Sequence, residues 1–498
     1  MSQSRIKKVV EELLAVEAAT DVNALSFGGL KLWPLIRRMH HFTRVQKDPN
    51  QPTKLEDVKN DTFSDFGLEW SGQPIDRKST QDWQRRAVSG EKPIDVMFVS
   101  RVLDHTDLMD GLPYNRLIDP WLHTCRGELN ALKIEFLEAG QEFSADRFEP
   151  TYGYELPPWK DASLMKGMPT DVDGFGSVIE AFRKVSDRPP TFKGISSYLP
   201  RLWARKKTFS DLLARFKPKL VCIICYYSAD MLALVWACRD LGIPVADIQH
   251  GQQGTYHALY SHWGVAPKNG YELIPDYFLC WNERIRTIQQ EALPSPKRRP
   301  YSIVTGNPWV DLWSQSELLK VSTEMQSFID SYSGRTTVLV ALQPKDEIFP
   351  DNLPSAMRRT PDWLWLLRVH PHQRYRIPKI KVFLSAAGLE NFEIDQSTHA
   401  PLYALLRSVS HVVTPFSSLA LEADQFGCPV TIIDPDGLEA YEPEISEGIF
   451  GYAIKPKDIV SSIADRSRPE YIAMAEKPFP QDRVQLLSDI CDGAFNPF

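Results

Sequence analysis

The sequence lacks the short motifs that mark several common enzyme classes. Neither a G-x-G-x-x-G segment nor a G-x-x-x-x-G-K-[S/T] segment occurs in its 498 residues. These absences argue against the dinucleotide fingerprint and against a P-loop ATPase. A G-x-S-x-G nucleophile elbow is also missing, which argues against an esterase.

Basic residues are fewer than acidic ones, and cysteines are few. The chain has 64 acidic and 57 basic residues and a net charge of -7, which gives no support for nucleic-acid binding. Its seven cysteines are odd in number, and Cys222 and Cys225 would face opposite sides of one strand, which makes a redox or metal pair improbable. The N-terminus is a charged amphipathic helix without the apolar core of a signal peptide. We expect a reduced, cytoplasmic protein. Its basic patches, such as 201–207, are either solvated or meet anionic lipid or an anionic substrate.

A long uncharged run, residues 220–238, is the one candidate for a membrane span. Asp230 interrupts it, and a carboxylate is costly in lipid. The first part is rich in strand formers, and the part after Ser228 is rich in helix formers and ends at Gly242. With the apolar run Val245 to Ile248 that follows, the sequence predicts a buried strand–helix–strand unit.

The same alternation recurs along the chain and predicts an α/β protein. A chain of this length is expected to form two domains. We predict an N-terminal helical and extended region over 1–90, a Rossmann-like domain over 91–320, a second one over 321–475, and a helix over 476–498 that crosses back. The two doubly wound sheets are expected to face each other across a cleft.

Ligands of such sheets bind beyond the carboxyl ends of the strands, where Asp230 and the Gln249-His250-Gly251 loop fall. Asp230 is either a nucleophile or base at the cleft, or a carboxylate that stabilises the first turn of its helix. His250, His257 and His262 do not have the spacing of zinc ligands, so no metal is predicted. A loop histidine is expected either to bond a sugar or a phosphate, or to serve the structure alone.

The second half offers a phosphate site. Ser417 and Ser418 open a helix, where two hydroxyls and free amides suit an anion, although capping alone also explains serine there. Arg368 and His370 follow a neighbouring strand and would add positive charge. Glu422 lies on the same helix and is predicted either to take ribose hydroxyls or to pair with a cation.

A polar loop over 101–116 follows the first core strand. It is either an acceptor site or an ordinary capped connection. We predict acceptor contacts from two places, the loop and the end of a later aromatic segment, through these residues: His105, Asp107, Asn115, Arg116 and Glu155.

The order of several motifs resembles a known group of enzymes. Residues 247–251 read DIQHG, 275–281 read PDYFLCW, and 305–311 read TGNPWVD. Further on, Gln343 precedes Asp346 by three residues, Arg368-Val-His370-Pro follows, and 415–423 read PFSSLALEA. Together, over 215–435, these resemble bacterial surface-polysaccharide glycosyltransferases of the GT-B fold, especially the retaining β-Kdo transferases that use CMP-activated sugars.

The resemblance implies a metal-independent transferase that needs no cofactor beyond its nucleotide-sugar substrate. It would build capsule, lipopolysaccharide or O-antigen on a glycan or glycolipid acceptor, peripherally at the inner membrane face. It places the nucleotide and donor sugar against these residues: Gln249, Gly251, Gln343, Asp346, Arg368, His370, Ser417, Ser418 and Glu422. It gives Asp230 a covalent glycosyl intermediate, with His250 and His262 beside it.

Two other functions stay open. Teichoic-acid polymerases, which transfer a polyol phosphate, carry similar HP and Ser-rich motifs. Those enzymes usually have a basic, membrane-associating surface, and the net negative charge of this chain argues against that alternative. A non-catalytic glycan-binding protein with a transferase fold is the other alternative.

Overall fold

The architecture is taken from a computed structural model. It describes residues 5–45, 66–101, 107–138, 140–141, 143, 146–295, 299–314, 318–343, 347, 349–466, 482–495 and 497. Two predicted site residues, His105 and Asp346, lie outside the described residues.

The chain alternates helices and strands, as the sequence predicts. The helices are α1 Arg5–Ala19, α2 Trp33–Val45, α3 Arg77–Val88, α4 Asp119–Cys125, α5 Ala162–Met165, α6 Phe175–Val185, α7 Phe192–Phe216, α8 Ala229–Asp240, α9 Glu283–Glu291, α10 Pro308–Ser314, α11 Thr323–Asp330, α12 Leu353–Arg358, α13 Ile377–Ala386, α14 Asp395–His399, α15 Leu402–Ser408, α16 Leu419–Gln425, α17 Pro435–Ala440, α18 Glu442–Ser446, α19 Pro456–Arg466 and α20 Arg483–Cys491. The strands are β1 Ser26–Phe27, β2 Leu30–Lys31, β3 Leu68–Trp70, β4 Val96–Arg101, β5 Asp107–Met109, β6 Leu112–Tyr114, β7 Ala131–Leu137, β8 Tyr152–Glu155, β9 Val172–Asp173, β10 Leu220–Ile224, β11 Val245–Ile248, β12 Tyr277–Cys280, β13 Tyr301–Val304, β14 Leu319–Val321, β15 Thr337–Ala341, β16 Leu364–Arg368, β17 Phe392–Glu393, β18 His411–Thr414, β19 Val430–Ile432 and β20 Phe450–Tyr452.

The first domain is built on a seven-stranded parallel sheet in the order β13-β12-β11-β10-β4-β7-β8. Successive strands run outward in both directions from the β4–β10 pair, so the order reverses there. Ligands of doubly wound sheets bind in the crevice at that reversal, beyond the strand carboxyl ends. In this domain the crevice is framed by Arg101 at the end of β4 and by the turn that follows Ile224.

The second domain has a six-stranded parallel sheet in the order β17-β16-β15-β18-β19-β20. Its order reverses between β15 and β18, whose carboxyl ends lead into Gln343 and Ser417. The predicted fold class is confirmed: the protein is α/β, with two Rossmann-like doubly wound domains in a GT-B-like arrangement.

Two small sheets and the chain termini complete the molecule. One small sheet is β2-β1-β9, and the other, β14-β3-β5-β6, joins the residues just before the second domain to the segment around 68. Helix α20 packs on α4 and β10 of the first domain through Leu486, Leu487 and Ile490. Within the described ranges, no helix is both long enough and apolar enough to cross a membrane.

Apolar side chains cover both faces of each large sheet. One cluster unites the faces of α1, α2, α7 and α8 with the first sheet. Another includes Met109 and Tyr114 from the first half together with Leu339 and Tyr403 from the second. This shared core holds the two domains against each other and fixes how their strand ends meet.

Candidate functional site

The carboxyl edges of the two large sheets meet at the Gln249–Gly251 loop. A Cβ added at Gly251 would lie 3.2 Å from Cβ and 3.3 Å from Oγ of Ser418, so a larger residue would push against the second domain. Nearby, the Gln252 side chain donates to the carbonyl of Ala440, 3.1 Å away. The structure therefore brings two predicted site segments together, one from each domain.

Gln249 holds the loop in shape from within. It is completely buried, its Nε2 donates to the carbonyl of Gly251 (2.9 Å), and its Oε1 accepts from the backbone of Trp281 (2.7 Å). Both ends of this amide are therefore engaged with backbone. Gln249 positions the loop, and Gly251 presents the close backbone surface to the cleft.

A second cross-domain contact joins Arg116 to Glu422. Arg116 Nη1 donates to Glu422 Oε1 (2.8 Å) and to the hydroxyl of Tyr403 (2.7 Å), and that hydroxyl donates to the same carboxylate (2.7 Å). Burial opposes the charge on Arg116, but Glu422 and Tyr403 outweigh it and raise its pKa. The predicted acceptor-side arginine and the predicted donor-side glutamate thus belong to one cluster.

Positive charge gathers around this cluster. Arg368, at the end of β16, donates Nη1 to the carbonyls of Ser397 (2.9 Å) and Ala400 (2.6 Å). Burial lowers its pKa to about 10, with Arg374 and Arg116 adding repulsion and Asp107 opposing them. Partly buried guanidinium groups of this kind suit a phosphate, because it offers several acceptor oxygens.

The remaining donor-side residues line the neighbouring strand ends. Gln343, after β15, borders a small cleft together with Val369 and Pro415. His370 is half-buried directly after Val369. Because β16, β15 and β18 are adjacent, these residues and the serines of 417–418 share one edge.

The two serines play different local roles. Ser417 Oγ accepts from the amide of Leu419 (3.3 Å), whereas the Ser418 side chain makes no capping hydrogen bond. The capping alternative therefore applies to Ser417. Ser418 faces Gly251 across the cleft.

Asp230 lies at the same sheet edge but is engaged by two arginines of α7. Its carboxylate accepts from Arg201 Nη2 (3.1 Å) and from Arg205 Nε (3.1 Å), and both arginines also pair with Glu138. Its side chain is largely buried. Of the two roles that the sequence leaves open, this network favours the stabilising one.

The other acceptor-side residues are spread out. Asn115 is fully buried, and its Oδ1 accepts from the amides of Leu117 and Ile118, so it shapes the turn into α4. Asp107, on β5, is close enough to Arg116 and Arg368 to favour the charged form of both: it helps to raise the pKa of Arg116 and opposes the lowering of the pKa of Arg368. Glu155 ends the edge strand β8 and accepts from the amide of Gly140 (3.2 Å).

The predicted histidines line a pocket of aromatic rings under the loop. The hydroxyl of Tyr227 lies 3.4 Å from His250 Nε2. His257 stacks on His41, with ring centroids 5.2 Å apart, and burial lowers the pKa of His41 to about 4. Burial also lowers the pKa of His262, which stacks on Tyr256.

Among the described residues no group of three or more His, Cys, Asp or Glu side chains is placed to hold a metal ion.

The N-terminal helices supply site residues that were not predicted from the sequence. Arg37, on α2, is fully buried and donates to the carbonyls of Ala258 (2.7 Å), Ser261 (3.0 Å) and His262 (2.9 Å), while Nη1 pairs with Glu17 (2.7 Å). The sequence does contain a signal for this pair. An arginine within the apolar run of α2 and a glutamate on the apolar face of α1 predict a buried ion pair.

Comparisons with known proteins add a fold likeness and no family. No protein-family model and no curated protein matches the sequence. Solved structures that resemble it include the UDP-N-acetylglucosamine 2-epimerase of Rickettsia bellii (12% identity, TM-score 0.48, 81% of this chain and 95% of that one). The UDP-GlcNAc 2-epimerase of Methanocaldococcus jannaschii is similar (11%, 0.47, 81% and 100%). So is the glycotransferase of kitacinnamycin (10%, 0.41, 81% and 96%). The strand order of the two large sheets by itself defines the fold.

Proposed function

We propose that the protein is a glycosyltransferase that moves a sugar from a nucleotide-activated donor to a hydroxyl of a glycan or glycolipid acceptor. The donor class would include CMP-linked acids such as Kdo, in capsule or O-antigen assembly. The observation that carries the proposal is the meeting of both sheet edges at Gly251–Ser418 and Arg116–Glu422. A cleft between two such edges holds a nucleotide on one side and the reacting sugar on the other.

The charge of the cleft fits the leaving group. When the glycosidic bond to the nucleotide breaks, negative charge grows on the departing phosphate, and preorganised cations stabilise it. Arg116, Arg368 and His370 supply that charge, and the hydroxyls of Ser417 and Ser418 supply hydrogen bonds. Glu422 has its carboxylate beside Arg116, where a ribose hydroxyl would bond to it in place of the Tyr403 hydroxyl.

The loop side provides shape. Gly251 presents its backbone close to Ser418, which leaves no room for a bulky side chain at 251. His250, beside the Tyr227 hydroxyl, is positioned to exchange a proton with the acceptor or the sugar. Asp107, in the 107–116 segment, acts electrostatically on Arg368, one of the proposed phosphate-binding cations.

A donor panel tests the proposal. The full-length protein is incubated with CMP-, UDP-, GDP- and dTDP-sugars and with CDP-glycerol, with and without bacterial glycolipid, and nucleotide release is measured. Release that depends on one nucleotide sugar and on the acceptor is the expected result. Release from CDP-glycerol alone would indicate polyol-phosphate transfer, and binding without release across the panel would indicate a non-catalytic protein.

Asp230 allows a sharper test within the same assay. If its ion pairs with Arg201 and Arg205 are its main role, Asp230→Asn should lower the free energy of unfolding by about 1–3 kcal/mol and leave turnover of the folded fraction within a few-fold. A nucleophile would give a different result in the folded fraction: intact nucleotide binding and turnover reduced at least a thousandfold, whatever the change in stability. Glu180→Gln, at an exposed helical pair with Lys184, is the matched control and should change neither quantity.

A further inference from the structure

The surface formed by Tyr375 and the outer face of α13 is unusual in exposing apolar side chains. Tyr375 is 61% exposed, Val382 71% and Phe383 37%. Among the described residues six large apolar side chains are this exposed, and these three fall within nine positions. Large apolar surface grouped in this way marks an interaction site more often than chance exposure does.

Helix α13 is apolar on both of its faces. Ile377, Ile380 and Leu384 are buried in the second domain, as expected for a surface helix. The opposite side, with Val382 and Phe383, faces outward at helical spacing from Tyr375. The outer face of a surface helix is normally polar, so large apolar side chains exposed on this face are suited to a partner.

The charge of the same segment narrows the choice of partner. Residues 374–381 contain four Arg or Lys residues and no Asp or Glu, in a chain whose net charge is -7. Lys379 is exposed in the middle of the apolar stripe, and Lys381 pairs with Asp395 on the neighbouring helix. Basic residues interleaved with exposed aromatic and aliphatic side chains are typical of segments that lie in the interface of an anionic membrane.

We infer that the surface made by Tyr375, Lys379, Val382 and Phe383 docks on a bilayer that contains anionic lipid. The apolar side chains would enter the headgroup–acyl boundary, and Lys379, with Arg376 beside it, would face lipid phosphates. This inference goes beyond the proposed transfer reaction, because it concerns where the protein binds and is measured without any sugar nucleotide.

The position of the surface connects it to the cleft. Ile380, on the inner side of α13, lines the same small cleft as Gln343 and Pro415, and Phe383 packs 6.2 Å from Phe349, which also lines it. Docking through α13 therefore brings the carboxyl edge of the second sheet close to the lipid surface. A glycolipid acceptor would then reach the cleft without leaving the membrane.

Vesicle co-sedimentation of the full-length protein tests the inference. We expect binding to phosphatidylcholine vesicles that contain 30% phosphatidylglycerol, weak binding to phosphatidylcholine alone, and loss of binding at about 1 M salt, where charges are screened. Lys379→Glu should reduce partitioning about tenfold, and Val382→Asp by a similar factor. Both positions are exposed, so an unchanged melting temperature is expected for each variant.

Matched variants elsewhere separate this surface from general effects of charge. Leu241→Asp introduces a charge at a residue 45% exposed at the end of α8, and Lys457→Glu reverses an exposed charge on α19. Both should bind vesicles as the wild type does. Equal binding to both vesicle types, or equal loss in the control variants, would overturn the inference.

Other occupants of the surface would give different results and would also overturn it. A dimer in vesicle-free buffer that dissociates on Val382→Asp would show that a second copy of the chain covers α13. Binding of the wild type to an oligonucleotide, lost in Lys379→Glu while vesicle binding is kept, would indicate a nucleic acid. Nucleotide binding measured in solution should be the same in Val382→Asp and wild type, so failure of the docking surface and failure of the proposed transfer reaction are distinguishable.

Discussion

The two edges of the cleft are built by different means. On the first domain the loop over 249–264 is held by buried polar anchors: Gln249 from within and Arg37 from the N-terminal helices. On the second domain the edge is lined with charged and hydroxylic side chains, such as Arg368 and Glu422. One edge fixes a backbone shape, and the other concentrates charge.

This difference indicates a division of labour. A backbone surface held by several anchors discriminates by shape, because a change of one ångström breaks many hydrogen bonds at once. An edge of guanidinium groups and hydroxyls recognises an anion and tolerates small movements of it. The proposed function would place a sugar on the first edge and a nucleotide phosphate on the second.

The largest expected effect comes from removing the anchor of the first edge. Arg37→Leu leaves Glu17 buried without its cation and takes the donor from three carbonyls, so we expect a loss of about 3–5 kcal/mol in the free energy of unfolding. Urea denaturation measures this loss. Amide hydrogen exchange over 258–264 should show local opening of the loop.

A double variant separates the ion pair from the carbonyl contacts. Arg37→Leu combined with Glu17→Leu removes both charges and should recover part of the loss, because no uncompensated charge remains. Arg85→Leu, at an exposed pair with Asp82, is the control and should cost less than about 1 kcal/mol. A loss below about 1 kcal/mol for Arg37→Leu itself would show that the loop does not depend on the N-terminal helices.

Acid should weaken the support of the first edge through His41, on α2. Burial, with smaller contributions from His40 and Arg37, lowers the pKa of His41 to about 4, whereas an unfolded histidine titrates near its usual 6.5. The folded state therefore binds the proton less well. The stabilisation by neutral His41 is complete above pH 6.5 and is lost as the pH falls from 6.5 to about 4.

The His41 contribution is measurable as a difference between two proteins. Between pH 7.5 and pH 5 the wild type should lose about 2 kcal/mol more stability than His41→Gln, from 1.5 pH units at 1.36 kcal/mol each. Thermal unfolding at both pH values gives the comparison. Parallel pH profiles for the two proteins would show that His41 titrates normally in the fold.

The strands were predictable because they are apolar runs bounded by breakers. β11 has the bounds of the predicted apolar run, Val245 to Ile248, and every residue in it is buried. β10 ends at Ile224, before the predicted change from strand to helix at Ser228, because Cys225 adopts a positive φ of 59° and takes the next residues out of the sheet. Hydrophobic periodicity and strand-breaking residues can be recognised in the local sequence. A turn that depends on a positive φ at a cysteine cannot.

The contacts of the site were less predictable, because they join distant parts of the chain. The sequence placed Arg368, Glu422 and Gly251 at strand or helix ends, where the structure has them. Arg37 bonds carbonyls more than 220 residues away, and Arg116 reaches Glu422 over 306 residues. Only the folded backbone shows which charged residue meets which. For Asp230, the sequence-based prediction considered only the helix that contains it. The structure shows ion pairs with Arg201 and Arg205 of the preceding helix.

The smallest predicted effect compares two ion pairs that cross between the domains. In Arg116–Glu422 the side chains are 19% and 3% exposed, whereas in Arg284–Glu447 they are 25% and 55% exposed. Arg116→Gln leaves the Glu422 carboxylate buried beside the proposed phosphate site without its cation. We therefore expect about tenfold weaker nucleotide binding, or about 1.4 kcal/mol, measured by calorimetry with CMP and UDP.

Arg284→Gln serves as the matched control for that experiment. Its partner is more than half exposed, water screens the pair, and nucleotide affinity should change less than about twofold. If both variants weakened binding equally, the effect would come from domain closure in general and not from charge at the second edge. If only Arg116→Gln weakened it, and by a similar factor for CMP and UDP, the site would recognise phosphate charge from the first domain as well as the second.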